Sequence, residues 1–155
     1  MSNEELIDFH ESKMENFYRT VEIMIKGWEK CSFNSLQEKK KFEQFLNGLK
    51  YLLYDRKLSL ETLFEFKIGF GEELYRNEDN FMQRVVSIYY PMYAPEDEGL
   101  FLFKHSEVKL VKMKSRGLFP GEKKFQRMIP SGAGFGVFGL NTLKDKFNAK
   151  KSKKY

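Results

Sequence analysis

The sequence has a single cysteine, Cys31, and only two histidines, His10 and His105. One thiol cannot form an internal disulfide, and these three side chains are too few for the four ligands of a zinc ribbon. The composition therefore excludes a disulfide-stabilised domain and a zinc ribbon within this chain. It fits a reducing or redox-neutral compartment.

Long apolar runs are also missing from the sequence. No stretch approaches the roughly 20 apolar residues that a membrane-spanning helix needs. The first residues, MSNEELIDF, are acidic, so they resemble neither a secretory signal nor an arginine-rich transit peptide. We therefore expect an intracellular protein without a membrane span. If it works in an organelle, its import signal is internal or has been removed.

The sequence contains one weak match to a phosphate-binding glycine motif. Gly134, Gly136 and Gly139 form the pattern G-x-G-x-x-G within residues 130–140. A dinucleotide-binding unit also needs a following helix, a second strand and an acidic residue about 20 positions later, which the remaining sequence does not supply. A Walker sequence is absent as well. We therefore interpret these glycines as a tight connection that needs unusual backbone angles.

Charge is distributed unevenly along the chain. Residues 1–103 contain 13 Lys and Arg against 19 Asp and Glu, whereas residues 104–155 contain 14 against 3. The last third is thus a basic module attached to an acidic remainder. A solvated surface with a disordered tail explains this pattern, and so does a contact face for phosphates or an acidic protein.

The N-terminus carries the signature of a long amphipathic helix. Ser2 and Glu5 form a capping box, S-x-x-E, and apolar residues then recur with helical spacing for about 25 residues. A helix of this length at the start of a chain often packs on something outside its own domain, and packing on the chain's own core explains the pattern as well; both interpretations stay open. The apolar residues expected to form the docking face are Leu6, Phe9, Phe17, Val21 and Trp28.

Two further helices are expected before residue 70. Ser35 caps the first of them, which should run to about Tyr54. Ser59 caps a short second helix, and Gly69 and Gly71 are expected to end it.

The pattern changes to strands in the second half of the chain. Residues 84–94 and 123–130 have strand composition, and residues 108–116 alternate apolar and basic side chains with one slip at Leu110–Val111. Helices followed by strands predict an α+β fold: N-terminal helices and a small, mostly antiparallel sheet with a basic face.

Four segments in this order carry a family resemblance. They are YLLYDRKLSLETLFEFKIGFG, RVVSIYYPMYAPEDEG, LVKMKSR and KKFQRMIPSGAGFGVFGLNTL. Together they resemble the region that precedes the TOPRIM fold in phage-type primase–helicases, a family that includes the mitochondrial helicase Twinkle. The resemblance covers about residues 42–143. We therefore expect a primase-like domain over residues 35–143 and a basic tail over residues 144–155. The N-terminal helix has no counterpart in the family, so residues 1–34 are interpreted as an added docking helix.

The same resemblance implies that this chain lacks the catalytic parts of the family. The TOPRIM carboxylates that hold magnesium, the zinc ribbon and the motor domain with its Walker loop have no counterpart in the sequence. We therefore expect no catalysis, no resident metal and no cofactor in this chain.

Two functions remain open from the sequence. The first is a structural or accessory subunit of a larger assembly, held through the N-terminal helix and the basic tail. That assembly would be mitochondrial if the likeness to Twinkle also indicates the compartment. The second is a subdomain that binds single-stranded DNA as a template. The cations expected to contact nucleic acid or an acidic partner are Arg84, Lys112, Lys114, Arg116, Lys123, Lys124 and Arg127.

Overall fold

The computed structural model describes residues 1–95, 108–131 and 137–138. Helix α1 spans Asn3–Lys26, and the Ser2 hydroxyl accepts a hydrogen bond of 3.1 Å from the Glu5 amide. The predicted Ser2 cap and the helix length are therefore confirmed. The helix ends at Gly27, whose φ of 90° is open to glycine at no steric cost, and a 3₁₀ turn follows at Trp28–Lys30.

The second and third helices also begin where their caps predict. Helix α2 spans Leu36–Lys50 behind the Ser35 cap, and α3 spans Leu60–Glu65 behind the Ser59 cap. A single π-helical turn, Tyr51–Asp55, continues α2 directly. The helix that was expected to reach about Tyr54 is thus an α-helix with a π-turn at its end, a variation that often occurs near functional sites.

The sheet is antiparallel, and the α+β class predicted from the sequence is confirmed. Its strands are β1 (Gly69–Arg76), β2 (Met82–Pro95), β3 (Val108–Gly117), β4 (Gln126–Ile129) and β5 (Val137–Phe138). The hydrogen-bonded order is β1-β2-β3-β4, and β5 pairs with Met92 and Tyr93 of β2 beyond the end of β1.

Strand β1 is the element that residue-by-residue reasoning missed. Gly69 and Gly71 were expected to end the preceding helix, but they begin this strand. A Cβ added at Gly69 would lie 2.6 Å from Cβ of Lys13, and one at Gly71 would lie 2.9 Å from Cδ of the same residue. The two glycines therefore let α1 approach the sheet closely, which is a tertiary requirement and not a helix stop.

Hydrophobic clusters lie on both faces of the sheet. Phe70 and Ile88 belong to the larger cluster, which α2, α3 and the second half of α1 complete. Tyr89, the next residue along β2, points to the opposite face and packs with Leu6 near the start of α1. Helix α1 thus contributes to both clusters and closes the β1 side of the sheet.

The packing of α1 corrects the expected docking face. Leu6, Phe17 and Val21 are buried, and Phe9 and Trp28 are partly buried against the same two clusters. Because burying apolar surface on the chain's own sheet is the alternative way to satisfy an amphipathic helix, these side chains do not form a free surface. The boundaries proposed at residues 34 and 143 stay predictions, and the basic tail lies outside the described residues.

Candidate anion-binding surface

A β-bulge sets the phase of the basic strand β3. Leu110 lies opposite Tyr93 and Lys112 lies opposite Met92, so Val111 is the extra residue. The slip in alternation that the sequence showed at Leu110–Val111 is therefore this bulge. It lets Leu110 and Met113 both enter the cluster beneath α1, and it turns the following cations to the opposite face.

The cations that the bulge aligns are Lys112, Lys114 and Arg116, which we call the basic row. They alternate along β3, so neighbours are spaced by about 7 Å along the strand. Their cross-strand neighbours on β2 are Met92, Tyr90 and Ile88. Within the described residues, no carboxylate forms an ion pair with any member of the row. The basic row thus combines unpaired positive charge with apolar and aromatic neighbours.

Three other cations predicted for the site are already paired. Arg84 contacts Glu72 at 3.1 Å, Lys124 contacts Glu78 at 3.2 Å and Arg127 contacts Glu73 at 3.0 Å. These carboxylates neutralise the charge that a phosphate would otherwise meet. With respect to the carboxylates that the structure describes, the seven predicted cations therefore separate into a paired set and an unpaired set. Lys123 belongs to the unpaired set, with its ammonium 6.0 Å from the centre of the Tyr51 ring.

Arg127 differs from the basic row in its position as well as its pairing. It lies opposite Ser115, which is on the face that α1 covers. Its second guanidinium nitrogen donates to the Leu74 carbonyl at 2.9 Å, and Tyr89 donates to the other oxygen of Glu73 at 2.5 Å. Arg127 is consequently part of a structural network.

This network joins the two ends of the sheet. Glu73 and Leu74 belong to β1, whereas Arg127 belongs to β4, three strands away in the hydrogen-bonded order. The phenol of Tyr75 in β1 also forms a hydrogen bond of 3.0 Å with Ser115 of β3. Because β1 and β4 are not neighbours in the sheet, these contacts curl it toward the α1 face, and the basic row lies on the opposite face.

A cavity of about 250 Å³ lies beside Arg116, between the sheet, the π-turn and α3. Arg56, which follows the π-turn, lines it together with Arg116 and Lys123. Burial raises the pKa of the Tyr90 phenol in its wall, and the charges of Arg116 and Arg56 oppose that rise. Sequence reasoning missed Arg56 as a site residue, because its only signal was a position between two helices.

The described residues form neither a metal site nor a membrane span. They contain no group of three or more His, Cys, Asp or Glu side chains placed to hold a metal ion. No helix in this part of the chain is long and apolar enough to cross a membrane.

No family model, no curated protein and no solved structure matches the chain. The resemblance to primase–helicases therefore stays a hypothesis that rests on the quoted segments.

Proposed function

We propose that this chain is a non-catalytic module that binds single-stranded nucleic acid through the basic row on β3. The observation that carries the proposal is the separation of Lys112, Lys114 and Arg116 from every described carboxylate, on one face of one strand. Unpaired cations in a regular row suit a phosphate backbone, whose affinity for them is electrostatic and independent of sequence.

The neighbours of the row favour a single strand over a duplex. Single-stranded ligands combine backbone contacts to cations with stacking of bases on aromatic side chains. Phe138 of β5 is partly exposed, and it contacts Tyr90 edge-on with ring centres 5.3 Å apart. Because Tyr90 lies opposite Lys114, an aromatic surface stands directly beside the row.

The test is binding of a fluorescently labelled oligothymidine, followed by anisotropy at low salt. We expect the double variant Lys112→Gln/Lys114→Gln to bind roughly three- to tenfold more weakly, since two phosphate contacts are lost. The matched control is Lys39→Gln/Lys40→Gln, which removes the same charge from two exposed lysines of α2. Equal weakening by both variants would show that only net charge matters and would overturn the proposal.

The absence of catalysis is part of the same proposal. Its support is the resemblance, in which the chemistry belongs to a TOPRIM fold that follows the matched region. A primer-synthesis assay with template, nucleotides and magnesium should give no product with this protein alone. Primer product that forms with this protein and is lost with a variant of it would contradict this expectation.

A second candidate is a structural subunit of a larger assembly, which a separate observation favours. Leu74 of β1, Phe81 of the β1–β2 turn and Met82 of β2 are 49%, 71% and 56% exposed. Three large apolar side chains exposed at one turn are typical of a contact site. Since the apolar face of α1 is buried in the core, this turn replaces α1 as the proposed docking element.

Size fractionation of the native protein from cells tests the subunit candidate. A large native complex that is lost in the variant Phe81→Ser/Met82→Ser, with folding retained, supports it. Co-purification with mitochondria would support the mitochondrial location that the resemblance implies. A monomeric native protein would remove this candidate.

A further inference from the structure

The cavity beside the basic row has an unusual combination of charge and shape. Its three cations, Arg56, Arg116 and Lys123, approach it from the π-turn, from β3 and from the turn before β4. None of its described lining residues carries a carboxylate. The aromatic residues in its wall are Tyr51, Phe66, Tyr90 and Phe138.

Arg116, which lines the cavity, has one donor that lacks the partner that burial normally demands. Nε of Arg116 is buried and has no hydrogen-bond acceptor among the described residues. Buried donors, and charged ones above all, are almost always paired, because leaving them unpaired costs free energy. Because Nε has almost no accessible surface, it does not itself border the cavity; the three cations of the lining favour a multiply charged anion over a single carboxylate.

The apolar part of the cavity limits the kind of molecule to which that anionic group can belong. The ring of Phe66 lies 5.1 Å from that of Phe138, and Phe138 contacts Tyr90 in turn. Aromatic side chains in the wall favour a ligand that contains a flat ring. The volume of about 250 Å³ lies below the usual range of about 300–1,000 Å³ for ligand pockets, so one ring and its substituent would fill it.

We propose that this cavity binds one nucleoside monophosphate unit, with its phosphate held by Arg56, Arg116 and Lys123 and its base among the aromatic side chains. The unit comes either from a free nucleotide or from the phosphorylated end of a strand. In the second case the inference rests on the proposed function, because the strand would continue along the basic row. The basic tail is a poor occupant, since residues 144–155 hold six lysines and one aspartate.

The test is calorimetric titration of the whole protein with adenosine monophosphate and with adenosine as the uncharged probe. We expect the monophosphate to bind and adenosine to bind at least tenfold more weakly, because charged hydrogen bonds are lost. Arg56→Gln, a change at an exposed position, should weaken monophosphate binding about tenfold. Lys39→Gln/Lys40→Gln, at two exposed positions of α2, should leave it unchanged, and Phe138→Ala should weaken it through the ring contact.

Oligothymidine with and without a terminal phosphate distinguishes the two sources. A preference for the phosphorylated end that Arg56→Gln removes assigns the unit to a strand, and no preference assigns it to a free nucleotide. Equal binding of adenosine and its monophosphate, or indifference to Arg56→Gln, would overturn the inference. The basic-row proposal can fail while this inference holds. In that case Lys112→Gln/Lys114→Gln binds oligothymidine as strongly as the unaltered protein, and the monophosphate still binds.

Discussion

Arg127 of β4 forms an ion pair with Glu73 of β1, with Nη1 and Oε2 3.0 Å apart. The contact joins the first and last strands of the order β1-β2-β3-β4 and so holds the sheet in its curled form. It also explains why one of the cations predicted to contact nucleic acid has a structural role. The guanidinium group packs over the Tyr75 ring at 4.6 Å, which fixes it further.

Replacing Arg127 should therefore lower stability and leave binding intact. Arg127→Gln leaves the mostly buried carboxylate of Glu73 without its cation, and we expect a loss of about 1–2 kcal/mol in the free energy of unfolding by urea. Arg84→Gln breaks the more exposed pair with Glu72 and should cost less than about 1 kcal/mol. A loss of oligothymidine binding in folded Arg127→Gln would contradict the structural role.

Phe17 provides the test of whether α1 is a core helix. Its side chain is fully buried and contacts Phe70 of β1 with ring centres 5.3 Å apart. Phe17→Ala should cost about 3–5 kcal/mol, because a large cavity remains. Ile25→Ala, at an exposed position of the same helix, should change stability by less than about 0.5 kcal/mol. A stable Phe17→Ala variant would restore α1 as a docking element.

His10 should make stability depend on pH. The residue is buried, and its Nε2 lies 2.9 Å from the Lys67 carbonyl. Burial lowers the pKa of this imidazole below its ordinary value of 6.5. Below pH 6.5 the unfolded chain therefore binds a proton more readily than the folded one, so stability should fall as the pH falls toward the folded-state pKa.

The measurement for His10 is urea unfolding between pH 7.5 and 5, with His10→Gln beside the unaltered protein. The variant should lose part of the pH dependence even if it is less stable at every pH. His105, the other histidine, is present in both proteins and cancels in the comparison. Identical pH dependence in the two proteins would rule out a role for His10.

Local signals allowed most of the helices and strands to be predicted. The caps at Ser2, Ser35 and Ser59 depend on residues three positions away, so the sequence displays them directly. The alternation in β3 also predicted its basic face. Residue-by-residue reasoning missed strand β1, because the need for glycine at positions 69 and 71 comes from Lys13, a residue on another element.

The division of the seven predicted cations into ion-paired and unpaired ones could not be predicted from the sequence for a similar reason. The partners of Lys124 and Arg127 are 46 and 54 positions away in the sequence. The sequence shows the sign and spacing of charges, but only the curl of the sheet brings these pairs together. Arg56 reaches the cavity through the π-turn, which no local pattern of the sequence had indicated.

The central claim is that the basic row contacts phosphates, and the salt dependence of oligothymidine binding tests it most directly. Each phosphate contact to a single strand contributes about 0.7 to the slope of log affinity against log salt concentration. The account predicts a slope smaller by about 1.4 in Lys112→Gln/Lys114→Gln and an unchanged slope in Lys39→Gln/Lys40→Gln. The same slope in all three proteins would contradict it.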